Sequence, residues 1–94
     1  PTMLLSFEQF AADARARGFT DALERRWAPR TVLDTHTHAF AVEARVVQGE
    51  MWLTHDGRTR HLRPGDTFVL DPQVPHDERY GDDGATYWVA RRAV

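Results

Sequence analysis

The chain has 94 residues, 41% apolar and 28% charged, which suits one small globular domain (residues 1–94) and excludes wholesale disorder. A net charge of −2 gives no electrostatic reason to expect nucleic acid or an anionic membrane as partner. With no cysteine, disulfides and thiolate ligands are excluded. No apolar run approaches the ~20 residues of a membrane span, and the first residues lack the basic region and cleavage site of a signal peptide, so a cytoplasmic protein is expected.

Ser6 followed by Gln9 three residues later has the form of a capping box. Phe7, Phe10, Ala11 and Ala14 recur at helical spacing, and Gly18 stands where a helix ends. These signals predict one short amphipathic helix over residues 7–17, packed on a sheet. In residues 20–27 a helix competes with a strand. The alternation of Leu23, Arg25 and Trp27 before Pro29 favours the strand, with the barrel running over about 20–93.

Residues 34–43 centre on His36 and His38, with threonines around them, and read as an alternating strand. Positions i and i+2 of a strand share a face, so both imidazoles can reach one point, and imidazole is the commonest protein ligand for transition metals. Residues 37–48 form one long strand or two separated by a bulge, and Gly49 ends them. Residues 50–55 follow, and Asp56 with Gly57 makes a hairpin turn into residues 58–62. His55 and His61 flank that hairpin as exposed residues that can face each other. Pro64, Gly65 and Asp66 turn the chain into a strand over 67–70, and a constrained loop over 71–75 delivers His76 at the head of a strand reaching Tyr80. Residues 81–84 read as a polar turn, and residues 85–92 close the sheet. Many short strands between regular turns indicate an all-β sandwich or barrel.

Taken together, residues 30–80 resemble a cupin, a small double-stranded β-helix or jelly-roll barrel. The first cupin motif is a glycine, five residues, His-x-His, three or four residues, a glutamate, six residues and a glycine; His36, His38 and Gly49 match it. The second is opened here by Pro64, Gly65 and Asp66, and His76 stands at the expected separation from Gly65. Arg30 replaces the first glycine, Asp71 and Gln73 replace the proline and glycine of the second motif, and Tyr80 replaces its asparagine. The resemblance implies one divalent transition metal (Zn, Fe, Ni or Mn) held by His36, His38 and His76. The fourth ligand stays open. Glu43 is four residues beyond His38, yet counting back from Gly49 puts Val42 at the carboxylate position, and parity puts Glu43 on the opposite face. A β-bulge between His38 and Glu43 would restore it.

Phe40, Val42, Phe68 and Trp88 are candidates for an apolar pocket wall. Glu78 and Tyr80 share parity with His76 and can reach the same interior, Glu78 as a supporting group or a fourth ligand. Two functions compete. One is a metal-dependent oxygenase acting on a small organic molecule. The other is a non-enzymatic sensor resembling the ligand-binding half of AraC-type regulators. Exposed strand edges predict a homodimer, joined through those edges or the helix.

Overall fold

The computed structural model describes residues 6–93 and contains one helix, α1 (Phe7–Ala16), followed by six strands. These are β1 (Asp21–Trp27), β2 (Val32–His36), β3 (Ala41–His55), β4 (Arg58–Leu62), β5 (Thr67–Leu70) and β6 (His76–Arg92). The expected all-β architecture and the single short helix both stand. No helix among the described residues is long and apolar enough to cross a membrane.

Helix α1 starts where Ser6 accepts a hydrogen bond from the Gln9 backbone N–H at 3.1 Å. It ends in a Schellman motif. Gly18 adopts φ +95°, its N–H bonds the Arg15 carbonyl, and the Phe19 N–H bonds the Ala14 carbonyl at 3.0 Å. The buried face of the helix is Phe10 and Ala14, which pack with Phe19, Trp88 and Ala90 on the outer side of the sheet.

The long strands β3 and β6 pair antiparallel from Ala41↔Arg92 to Thr54↔Asp77 and form the spine of the molecule. Their partners divide this spine into two halves. β1 and β5 flank the half made of the end of β6 and the start of β3. β2 and β4 flank the other half. The inward faces of both halves build the main core, in which Val46, Met51 and Leu53 are completely buried. Each such side chain contributes about 1.5–3 kcal/mol of burial free energy.

Two sequence expectations change here. Gly49 does not end a strand, because β3 runs through it. Residues 81–84 do not reverse the chain, because β6 runs through them as well. Gly49 faces Ala85 and Met51 faces Tyr80, so residues 81–84 lie opposite the single residue Glu50. The glycines and aspartates that signal a turn here form a corner at which a continuous strand bends from one half into the other. The corner is close-packed. A Cβ on Gly49 would lie within 2.8 Å of the Ala85 Cα and would overlap the Gly84 carbonyl oxygen, and a Cβ on Gly84 would overlap the Trp27 carbonyl. Both glycines have positive φ, +73° and +70°.

The stretch around the paired histidines also differs from one long strand. β2 ends at His36, residues 37–40 leave the ladder, and β3 begins at Ala41. The bulge lies before the histidines. Leu33 pairs with Glu78 and His36 with His76, so two residues of β2, Asp34 and Thr35, oppose Asp77 alone. That extra residue shifts parity and turns both Leu33 and His36 toward the interior.

Candidate metal centre and pocket

His36 sits at the end of β2, His38 in the loop after it and His76 at the head of β6, directly across from His36. Their ring centroids lie 5.1 Å (His36 to His38), 4.3 Å (His36 to His76) and 4.7 Å (His38 to His76) apart. One nitrogen from each falls within 4.8 Å of the others, so the three can hold a metal ion. The loop carrying His38 is pinned where the Gln73 N–H donates to the His38 carbonyl at 2.7 Å, and the His38 ring stacks on Phe40 at 4.9 Å.

The tautomers follow from the partners. His36 Nδ1 lies 2.7 Å from the Asp34 carbonyl, and His76 Nδ1 lies 2.9 Å from the Val74 carbonyl. A carbonyl only accepts, so both Nδ1 atoms carry the proton. In the neutral ring this leaves the Nε2 lone pair as the ligating atom. His76 Nε2 is buried and has no hydrogen-bond partner. A buried imidazole nitrogen is rarely left this way, and a metal ion is the partner its lone pair fits. Burial, then the neighbouring His76, His36, Arg25 and Arg91, lower the pKa of His38 below its ordinary value. The shift favours the neutral ring, the form that ligates a metal.

Glu78 lies beside two of the three imidazoles. The residue is 5% exposed, and its Oε2 lies 3.5 Å from His36 Nε2 and 3.6 Å from His76 Nε2. Two atoms each about 2.1 Å from one ion stand roughly 3.0–3.5 Å apart, so this oxygen is near ligand spacing. The other oxygen, Oε1, accepts from the Tyr80 hydroxyl, which fixes the carboxylate plane. Burial first raises the pKa of Tyr80, with Tyr87 and Glu78 adding to it, so the phenol keeps its proton and donates.

Glu43 is elsewhere. On β3 Val42 faces the core and Glu43 faces out, where its carboxylate takes two hydrogen bonds from Arg17, at 2.8 and 3.3 Å. No bulge between His38 and Glu43 turns it inward, and it ties the helix end to the sheet instead. Trp88 is also displaced from its expected place. Tyr87, Val89 and Arg91 are the inward residues of that part of β6, and Trp88 packs under α1 against Phe7 and Phe10 while donating to Glu24 at 3.0 Å. Tyr80 is buried behind Glu78, stacked on Trp27 at 5.4 Å, and does not line the cavity. His55 and His61 do not face each other. His55 pairs with Arg58, whereas His61 pairs with Trp52, stacks on it at 4.5 Å and bonds Glu50 at 2.6 Å.

The histidines open onto a cavity of about 260 Å³. Phe40, Val42 and Phe68 line it as expected, joined by Leu23, Leu70 and Val89. Arg25 and Arg91 also line it, and composition alone did not reveal them. The signal for Arg25 was the Leu23, Arg25, Trp27 alternation, whose inward face could be assigned only once β1 had a partner.

The model of the AraC-like ligand-binding domain matches residues 22–92, which takes in all six strands but for Asp21, the first residue of β1. The chain belongs to the AraC-like ligand-binding family, and its barrel is a small cupin. Solved structures agree on this cupin's fold. A structural-genomics protein of unknown function from Rhizobium leguminosarum bv. viciae 3841 superimposes with TM-score 0.75 at 19% identity, over 100% of this chain and 99% of that one. An RmlC-like cupin from Shewanella frigidimarina gives 0.69 at 24% identity, covering 81% of this chain and 68% of that one. The DMSP lyase DddQ from Ruegeria pomeroyi gives 0.73 at 22% identity, covering 81% of this chain. This cupin spans 39% of that lyase's length. No curated protein matches the chain in sequence.

Proposed function

We propose that this cupin binds a small organic molecule at a divalent transition metal held by His36, His38 and His76, with Glu78 as the carboxylate ligand. The observation that carries the reading is the buried, unpartnered Nε2 of His76 among two further imidazoles. Three neutral nitrogens and one carboxylate suit Zn, Fe, Ni or Mn. An ion bound there supplies a Lewis-acidic point for an oxygen atom of the ligand. The protein's own contribution is orientation and exclusion of water. The Asp34 and Val74 carbonyls hold two rings in the ligating tautomer, Tyr80 holds Glu78, and the walls of the cavity are mainly apolar.

The test is metal content after purification, followed by titration of metal-depleted protein with Zn²⁺ or Co²⁺. About one ion per chain is expected for the parent protein and none for His76→Ala. Parent protein that takes up no divalent ion even at saturating concentration overturns the reading.

An enzymatic version, a metal-dependent oxygenase, is favoured by one feature: the four side chains that would hold the ion are fewer than the six ligands such ions can take, and the histidines open onto the cavity. Oxygen consumption by Fe(II)-loaded protein against a panel of small organic molecules separates it from a sensor. A sensor binds without turnover.

A further inference from the structure

We infer that the ligand of this pocket is a small organic carboxylate whose charged end is received by Arg25 on β1. The inference rests on the reading of the cavity as a ligand site, and it adds the chemical class of the ligand.

Arg25 belongs to the half of the barrel opposite the histidine-bearing strands: it pairs with Tyr87 on the end of β6, whereas His36 pairs with His76 at its start. Its inward neighbours on the same strand are Leu23 and Trp27, and all three line the cavity. The residue is exposed, and its guanidinium lies over the Trp27 ring, 5.0 Å from the centroid, which holds it against the cavity wall at the solvent side. Among the described residues no carboxylate is paired with it. Its neighbour Glu24 is taken by Arg26 at 3.1 Å and by the Trp88 indole.

The second cationic lining residue is in a different state. Arg91 makes two hydrogen bonds to Asp21, at 2.9 and 2.7 Å, and its charge is balanced there. Asp21 is so well served that its pKa is lowered, chiefly by those hydrogen bonds. Among the described residues Glu78 is the one carboxylate lining the cavity, and it is directed at the histidines. With a divalent ion in place, Glu78 would balance one of its two charges, and Arg25 adds another positive charge that no carboxylate among the described residues balances. The cavity is then electropositive at both ends.

Between those ends the wall is apolar, formed by Leu23, Leu70 and Val89. A wholly polar anion such as phosphate would leave that surface unmatched. A carboxylate with a short apolar body matches Arg25 and the wall beside it. A planar carboxylate also accepts two parallel hydrogen bonds from guanidinium. The cavity, at about 260 Å³, lies below the roughly 300–1,000 Å³ typical of drug-sized ligands, so the body is short.

The experiment is calorimetric titration of the parent protein, Arg25→Met and Arg25→Lys with butyrate and hexanoate, with the matching amides and inorganic phosphate as controls. Each is run metal-free and Co²⁺-loaded. The expected result is carboxylate binding at least tenfold tighter than the amide in the parent, a loss of at least tenfold in Arg25→Met, and partial retention in Arg25→Lys. Co²⁺ stoichiometry and its visible spectrum without ligand should be unchanged in both variants. Equal binding of carboxylate and amide, preference for phosphate, or undiminished carboxylate binding in Arg25→Met overturns the inference. Failure to bind Co²⁺ instead overturns the metal reading, and the metal-free arm still decides the role of Arg25.

Discussion

At the scale of single residues, two glutamates in this chain differ in what they face. Glu43 stands near the expected carboxylate position and faces solvent and Arg17, while Glu78, two residues after His76, faces the imidazoles. Glu78→Gln keeps the shape and removes the charge, and is expected to weaken metal binding by at least tenfold. Glu43→Gln is expected to leave metal affinity unchanged. It should alter stability by no more than about 1 kcal/mol, because the Arg17 pair is a third or more exposed on both sides. Competitive titration against a chromophoric chelator reads the first effect and urea denaturation the second. The opposite ranking of the two variants would restore Glu43 as the ligand.

Much of this centre was legible in the sequence. His36, His38 and His76 stood out by spacing, and parity already argued against Glu43. The choice of Glu78 over other candidates was not legible, because it depends on which β2 residues face it. The bulge between Leu33 and His36 resets that parity, and no residue type at Asp34 or Thr35 announces a bulge. The misplacement of Trp88 has a related cause. With residues 81–84 read as a turn, the inward face of the following segment had no reference. Once β6 is one strand bent at a corner, Tyr87, Val89 and Arg91 are its inner residues and Trp88 an outer one.

At the scale of elements, the corner where β3 and β6 bend explains why glycine stands at two positions that are not loop tips. Gly49 presses on Gly84, and Gly84 on the backbone of Trp27, so three strands meet there with no room for a side chain. Gly84→Ala combines a positive φ with a clash against backbone that cannot yield, and is expected to lower stability by more than about 3 kcal/mol. Gly57→Ala in the β3–β4 hairpin is the control. Its φ is also positive, +74°, but a Cβ there meets nothing within 4 Å, so only the conformational cost of about 1–2 kcal/mol applies. Urea midpoints for the two variants check the difference, and equal losses would show that the corner has room to relax. The same packing sets the position of Trp27, and so of the wall against which Arg25 lies.

At the scale of the whole molecule, the sheet joins segments far apart in the chain: Ala41 pairs with Arg92, and Asp21 with Arg91. Loop-closure entropy must be lost before such pairings return anything, so this cupin belongs with β proteins that fold in milliseconds to seconds. His36 and His76 become neighbours only when β2 docks on β6, and an unfolded chain offers no preformed site. Metal should therefore act as a brake on unfolding and do little to speed folding. At a hundred times its dissociation constant it adds about 2.7 kcal/mol, nearly all of it as a roughly hundredfold slower unfolding rate. Stopped-flow chevrons with and without Zn²⁺ are expected to share a folding limb and differ in the unfolding limb. The lifetime of the folded chain would then depend on metal supply as much as on any single core side chain.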